Sequence, residues 1–197
     1  MTTTPQIRNG RRLGFTLVEL MTVVGIIILL VGLLFPAIVG VIRRAEVSRA
    51  QGEVETIAGA VRAYFYDTRS LPVPDESHHR NSTWNGRWYH ATEHLAPIYA
   101  ILTNPQHPRN PAGRVYLEMP LNDDGIILDP WGNPYGITMN TTYSGSMTPW
   151  ETFTSQGGGH HAGRYSVRTP VVVRSSGPNG VSEPYGNPAA DDILSFK

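Results

Sequence analysis

The sequence predicts an α+β protein in which one long N-terminal helix packs on a small C-terminal antiparallel sheet. Residues 20–42 carry no charged side chain, and apolar residues then recur at helical spacing to about residue 65. The C-terminal half instead alternates short strand-like segments with Gly, Asn and Pro turns. A chain of 197 residues can bury one modest core, which excludes a multidomain enzyme.

The first part of the helix predicts a membrane span. Leu20 to Ile42 is a run of 23 residues whose only polar side chain is that of Thr22. As a helix it is ~35 Å long, which is enough to cross the hydrocarbon layer of a bilayer. The run is too long for the apolar part of a cleavable secretory signal, and no Ala-x-Ala-like site follows it. We therefore expect a retained span.

Basic residues indicate the orientation of this span. Arg8, Arg11 and Arg12 precede it without an acid before Glu19. The excess of positive charge favours a cytoplasmic N-terminus and an exported remainder. Arg43 and Arg44, on the far side, weaken this inference without reversing it.

Composition excludes several classes of function. The 16 Lys and Arg residues balance the 16 Asp and Glu residues, so no overall basic field favours nucleic acid as a partner. Cysteine is absent, which excludes disulfides, thiolate zinc sites, iron–sulfur clusters and cysteine nucleophiles.

The second part of the helix is amphipathic, and we divide the chain accordingly. The helix should end near Asp67–Ser70, because Leu71-Pro72-Val73-Pro74 cannot extend it. The apolar stripe along it has three- and four-residue spacings. Its members are Val47, Ala50, Val54, Ile57, Val61, Tyr64 and Phe65. The predicted segments are a membrane and assembly half at 15–42, an amphipathic half at 43–70 and a globular head at 71–197.

The head is expected to contain a connector and a β-region. The connector, 71–113, includes a short helix at about Thr92 to Leu102 that Pro97 interrupts. The β-region, 114–197, includes a flexible loop at 143–163. The predicted strands are Arg114–Met119, Gly125–Leu128, Tyr135–Met139 and Tyr165–Arg174.

Glu19 stands at the entrance of the span and needs a cationic partner. A carboxylate forced to mid-bilayer costs roughly 2.5–3.5 kcal/mol. If the chain were cut after Gly14, the new amine of Phe15 would lie four residues away. It could pair with Glu19 of the same chain or of a neighbouring copy, and the second pairing would fix the register of an assembly.

Gly14-Phe15-Thr16-Leu17-Val18-Glu19-Leu20, followed by an apolar helix, resembles the class III signal of type IV pilins and type II secretion pseudopilins. The resemblance implies a pilin fold and a prepilin peptidase that removes residues 1–14 by cutting between Gly14 and Phe15. It also implies N-methylation of Phe15, and a Glu19 that neutralises the N-terminus of an adjacent subunit during assembly.

A second segment, Asp129-Pro130-Trp131-Gly132-Asn133-Pro134-Tyr135, predicts a rigid turn. Its prolines preset φ, and the tryptophan can bury a large face against the sheet. The segment is similar to one that opens the β-region of major pseudopilins of the type II secretion system.

Pro36 predicts a weak point in the helix, because it lacks an N–H and its ring clashes with the carbonyl of Gly32. The helix can bend or locally melt there, and the resemblance implies an extended stretch before this proline in assembled filaments. The alternative is an anchor that is only kinked.

The C-terminal tail could hold calcium. Ser176, Asn179, Asp191 and Asp192 offer the oxygen ligands that Ca²⁺ prefers. The resemblance implies a calcium site in such a loop, with Asp192 matching an aspartate of the family and Asn179 replacing a common one. The alternative is a hydrogen-bonded loop without metal.

A different class of function rests on His90, Glu93 and His94, which fit the H-x-x-E-H pattern of zinc proteases. Surface histidines in the connector are the simpler interpretation. Residues 122–125 do not complete a helix–loop–helix calcium loop, and neither a nucleophile elbow nor a phosphate-binding glycine loop is present. The sequence therefore predicts a protein that is not an enzyme.

The resemblance implies a structural subunit of the periplasmic pseudopilus of the type II secretion system. Its expected partners are further copies, minor pseudopilins, the prepilin peptidase and an inner-membrane assembly platform. The expected location is a single pass in the inner membrane with a periplasmic head. The alternatives are a type IV pilin for adhesion, motility or DNA uptake, against which the lack of cysteine weighs, and a membrane-anchored zinc hydrolase.

Overall fold

A computed structural model describes residues 15–149, 166–181 and 191–195, without the side chains of residues 36 and 37. The predicted leader 1–14 and residues 150–163 of the predicted loop lie outside the described residues. The chain divides into two compact units, residues 1–43 and 44–197.

Helix α1, Leu17–Thr68, contains 52 residues, and it ends where the sequence predicts. Its last turn is closed by the amide of Arg69, which donates to the carbonyl of Phe65 over 2.8 Å. The backbone remains helical at Gly32 and at position 36. The helix break at Gly32 and Pro36 therefore stays a prediction for the assembled state.

The core of the second unit forms between the last half of α1, helix α2 (Thr92–Thr103) and a four-stranded sheet. The amphipathic stripe predicted from the sequence is the face that α1 buries: Ala50, Val54, Ile57 and Val61 are all fully buried. The predicted α+β arrangement, a long helix packed on a small antiparallel sheet, is confirmed.

Helix α2 agrees with its predicted position, but Pro97 does not interrupt it. The helix persists because one face lies in the core, where burial offsets one missing hydrogen bond. The buried side chains of α2 are those of Leu95, Ile98, Tyr99, Ile101 and Leu102.

The strands are β1 (Trp88–Tyr89), β2 (Gly136–Met139), β3 (Val171–Ser175) and β4 (Ile193–Leu194), in the order β1-β2-β3-β4. All neighbours are antiparallel, with Ile137 opposite Val173 and Ser175 opposite Ile193. The predictions for β2 and the end of β3 are correct. β1 and β4 escaped prediction because two residues are too few to show a period of two.

Two predicted strands are wrong. Residues 114–119 form no strand: the amides of Tyr116 and Leu117 both donate to the carbonyl of Leu102, so this segment packs on the end of α2. Residues 125–128 contribute only an isolated bridge between Leu128 and Pro134. The predicted strand at 165–174 was too long, because β3 begins only at Val171. The described residues before Val171 contain only an isolated bridge at Val167. At 114–119 the apolar alternation marks burial against α2 rather than pairing in a ladder.

Candidate functional site

The N-terminal half of α1 presents an uncovered apolar surface. Its most apolar 18-residue window has a mean hydropathy of 2.9, and none of it is buried within the chain. Phe15, at the start of this surface, is 77% exposed. By length and composition this is the one helix, among the described residues, that could cross a membrane. Such a surface requires lipid or other apolar helices around it.

Glu19 caps its own helix, a role that the sequence analysis missed. Its Oε2 accepts from the amide of Thr16 over 2.9 Å and from the Thr16 hydroxyl over 2.8 Å. The amide of Glu19 donates in return to Thr16 Oγ1 over 3.2 Å. This is a capping box, and the signal in the sequence was Thr-x-x-Glu before an apolar run.

The cap satisfies hydrogen-bonding groups of Glu19 without neutralising its charge, because both donors are uncharged. A cation is still needed if the carboxylate enters an apolar environment. Gly14 lies outside the described residues, so cleavage before Phe15 and methylation of its amine stay predictions.

The turn predicted at 129–135 is organised by the buried side chain of Asp129. Its Oδ1 accepts from the amides of Trp131 (3.1 Å) and Asn133 (2.8 Å). Its Oδ2 accepts from the hydroxyl of Ser175 over 2.7 Å. Gly132 supplies the positive φ, 90°, that the turn requires. Asp129 thus joins the turn to the end of β3.

The same turn is fastened to α1 by two side chains. Trp131 Nε1 donates to Glu46 Oε2 over 3.2 Å, and the Tyr135 hydroxyl donates to Glu53 Oε2. Glu53 also pairs with Arg49 at 2.8 Å. Burial, and then the acceptor Glu53, raise the pKa of Tyr135, so the phenol stays protonated.

The C-terminal loop lies against one of the predicted calcium ligands, Asp191. A Cβ on Gly177 (φ 65°) would lie 2.6 Å from the carbonyl oxygen of Asp191 and 3.0 Å from its Oδ1. Asn133 Nδ2 donates to the carbonyl of Gly177 over 3.1 Å. The loop that starts at Ser176 therefore lies directly against Asp191.

The other predicted ligands are engaged differently. Asn179 Oδ1 accepts from the amide of Val181 over 2.7 Å, and Asp192 Oδ2 lies 3.7 Å from Arg174 Nη1. Within residues 15–149, 166–181 and 191–195, no group of three or more His, Asp or Glu side chains is placed to hold a metal ion. The oxygen atoms of the loop suit Ca²⁺, but two carboxylates do not fill its coordination shell. Hydroxyl, amide and backbone oxygens would have to supply the remaining ligands.

The zinc-protease pattern does not form the helical site that its spacing suggested. α2 begins only at Thr92, so His90 lies before the helix, where it is exposed. Glu93 has a side chain that is 78% exposed, whereas His94 packs with its ring centroid 5.3 Å from that of Trp84. The expectation that His90 and His94 lie one turn apart on a single helix was therefore wrong.

Comparisons with known proteins agree with the two sequence motifs. The chain is 31% identical over 126 residues to the type II secretion system core protein G of Pseudomonas aeruginosa. The aligned region covers 62% of this chain and 70% of that protein. It is 26% identical over 132 residues to the protein of the same name from Aeromonas hydrophila, covering 65% of this chain and 73% of that protein.

No protein-family model matches the chain, and no solved structure matches it. The identity and coverage of the Pseudomonas relative, together with the long helix packed on a small antiparallel sheet, are sufficient to place it: the chain belongs to the type II secretion system core protein G family, the major pseudopilins.

Proposed function

We propose that this protein is the building block of a periplasmic pseudopilus, in which the N-terminal helices of many copies stack helically and the growing fibre drives protein export. The observation that carries the proposal is the uncovered apolar surface of residues 15–35 and 38–42, which contains a single carboxylate, Glu19, near its start. Its role is structural rather than catalytic.

The surface has two successive environments in this proposal. Before assembly the bilayer covers it, with the N-terminus in the cytoplasm and the head in the periplasm. After the prepilin peptidase has cut between Gly14 and Phe15 and methylated the new amine, the assembly platform transfers the helix from lipid to the fibre. Neighbouring helices then replace lipid, and minor pseudopilins are further partners.

Glu19 sets the register of the fibre. Its own capping box leaves the charge in place, and the amine of Phe15 from a neighbouring copy supplies the missing cation. A misplaced neighbour leaves one charge buried and unpaired, which is strongly unfavourable in an apolar core.

Two substitutions of Glu19 test its charge separately from its capping hydrogen bonds. Glu19→Gln retains an acceptor for the capping box but removes the charge, whereas Glu19→Ala removes both. We expect both variants to be inserted and processed and both to yield few fibres in the native host. Fibre yield is measured by shearing and immunoblotting, and normal yield from Glu19→Gln would contradict the charge pairing.

Gly14 tests the processing step independently. A bulky residue at this position should leave the precursor uncut, which mass spectrometry of the membrane fraction detects as residues 1–14 still attached. Cleavage at the normal rate would count against the signal assignment. A functional secretion assay of the same strains distinguishes export from adhesion or DNA uptake.

We also propose that the C-terminal loop binds Ca²⁺ through oxygens of Ser176, Asn179, Asp191 and Asp192. The close contact of Gly177 with Asp191 supports this, because it holds the loop against one carboxylate. When bound, the ion would supply positive charge that holds Asp191 and Asp192 against the loop.

Calorimetry should show Ca²⁺ binding that Asp191→Asn weakens at least tenfold, while the exposed control Asp124→Asn leaves it unchanged. Failure of Ca²⁺ to bind the wild type would leave the loop as a hydrogen-bonded turn.

A further inference from the structure

A cavity of about 500 Å³ lies between the end of α1 and the connector. Three arginines, Arg69, Arg80 and Arg109, line it. Glu76 is the one carboxylate among the described residues of its wall. The cavity therefore concentrates positive charge in a protein whose overall charge is zero.

The backbone of this wall is unusual. Among the described residues, only Arg69, Arg80 and Tyr143 combine a side chain other than glycine's with a positive φ, at 57°, 51° and 57°. All three line this cavity. Arg69 follows the last residue of α1, a position where glycine is the common solution because a Cβ is unfavourable there. Strain of this kind concentrates at binding and catalytic sites.

Arg109 forms the fixed part of the wall. Its Nε lies 3.1 Å from Glu76 Oε1, and its Nη1 donates to the carbonyl of Pro74 over 3.2 Å. The hydroxyl of Tyr64 donates to the Arg109 carbonyl. Glu76 thus compensates the charge of Arg109, whose guanidinium group and backbone carbonyl are both held by hydrogen bonds.

Arg69 and Arg80 are different, because neither has an ion-pair partner within the described part of the chain. His79 adds no charge to the cavity near neutral pH, since burial lowers its pKa despite the nearby Glu76. Its Nδ1 instead lies 2.9 Å from the hydroxyl of Tyr143, which also accepts from the amide of Leu71 over 3.2 Å. Two guanidinium charges at the cavity are therefore uncompensated.

We propose that this cavity binds an oxyanion, a carboxylate or phosphate group, between the guanidinium groups of Arg69 and Arg80. A planar guanidinium binds both kinds of group through two parallel hydrogen bonds. The volume suits a small molecule or the charged end of a larger one. None of the residues that line the site belongs to the apolar segment 15–42, so the site does not depend on the proposed assembly.

Calorimetry of the full chain in a zwitterionic detergent tests the site, with inorganic phosphate and citrate as the two probes. The test variants are Arg69→Gln and Arg80→Gln. The matched control is Arg62→Gln, which removes the same charge from α1 outside the cavity, where Arg62 pairs with Glu55 at 3.2 Å. We expect saturable binding that each test variant weakens at least tenfold and the control leaves unchanged. Tighter citrate binding assigns the site to carboxylates, and tighter phosphate binding assigns it to phosphate groups.

Arg69→Gly separates loss of the site from loss of the fold. Glycine relieves the positive φ, so the midpoint of thermal unfolding should equal or exceed that of the wild type. Binding should nevertheless weaken as in Arg69→Gln. The proposal is overturned if neither probe saturates the wild type, if Arg62→Gln loses as much affinity as the test variants, or if Arg69→Gly binds normally.

Discussion

The indole Nε1 of Trp131 donates a hydrogen bond to Oε2 of Glu46 over 3.2 Å, although the two residues are 85 positions apart. The contact joins the turn that opens the β-region to the helix that carries the head. Tyr135, four residues further on, reaches Glu53 of the same helix. The spacing of seven between Glu46 and Glu53 places both carboxylates on one face of α1.

Trp131→Phe should lower the free energy of unfolding by about 1–2 kcal/mol, because it removes the donor and part of the buried ring. Glu46→Ala should cost less, and the double variant should cost less than the sum of the two. Thermal unfolding of the full chain, followed by near-ultraviolet circular dichroism, measures all three. Glu55→Ala, on the exposed side of α1, is the control, and strict additivity would show that the pair does not interact.

Tyr135→Phe should destabilise the head by about 1–3 kcal/mol, since Glu53 loses a buried donor. The pKa of Tyr135 is raised in the folded state, chiefly by burial. Its contribution is therefore complete below the unfolded pKa of about 10 and is lost as the pH rises above that value. The variant should lose less stability than the wild type between neutral pH and pH 11. An unchanged pH profile would contradict this, and Tyr66→Phe, at an exposed position, is the control.

His78 should make the head sensitive to mild acid. Its ring stacks on Trp84 with centroids 3.7 Å apart, and burial, followed by the nearby His94, lowers its pKa. The unfolded chain takes up the proton first, so stability should fall as the pH drops below about 6.5.

His78→Phe keeps an aromatic ring in the stack and removes the titrating group. The difference in unfolding temperature between pH 7.5 and pH 5 should become smaller than in the wild type, without vanishing, because burial also lowers the pKa of His79 and His107. His90→Asn, outside the stack, is the matched control. An equal change in both variants would remove the special role of His78.

Gly177→Ala should be more damaging than Gly132→Ala. Both glycines have a positive φ, but the Cβ would meet Asp191 at 2.6 Å in the first case and open space in the second. The conformational cost common to both is about 1–2 kcal/mol, and the contact adds to it at Gly177 only. Denaturant unfolding of both variants gives the difference directly. Equal losses would show that Asp191 moves aside without cost.

The sequence was informative where one local property decided the structure. The end of α1 followed from the prolines at 72 and 74, and the turn at 129–135 followed from Pro130 and Gly132. It was misleading at 114–119, where apolar alternation marked burial against α2 rather than pairing in a sheet. It was silent on β1 and β4, because strands of two residues exist only through their partners.

What the sequence determined by itself is the long apolar helix with one carboxylate at its entrance, since hydropathy, spacing and charge act along a single chain segment. Only the tertiary structure decided which carboxylates Trp131 and Tyr135 meet. It also decided that Arg69, just after α1, lines one cavity together with Arg80 and Arg109 of the connector. These relationships join residues far apart in the chain, and their geometry arises only once the core has fixed how the elements pack.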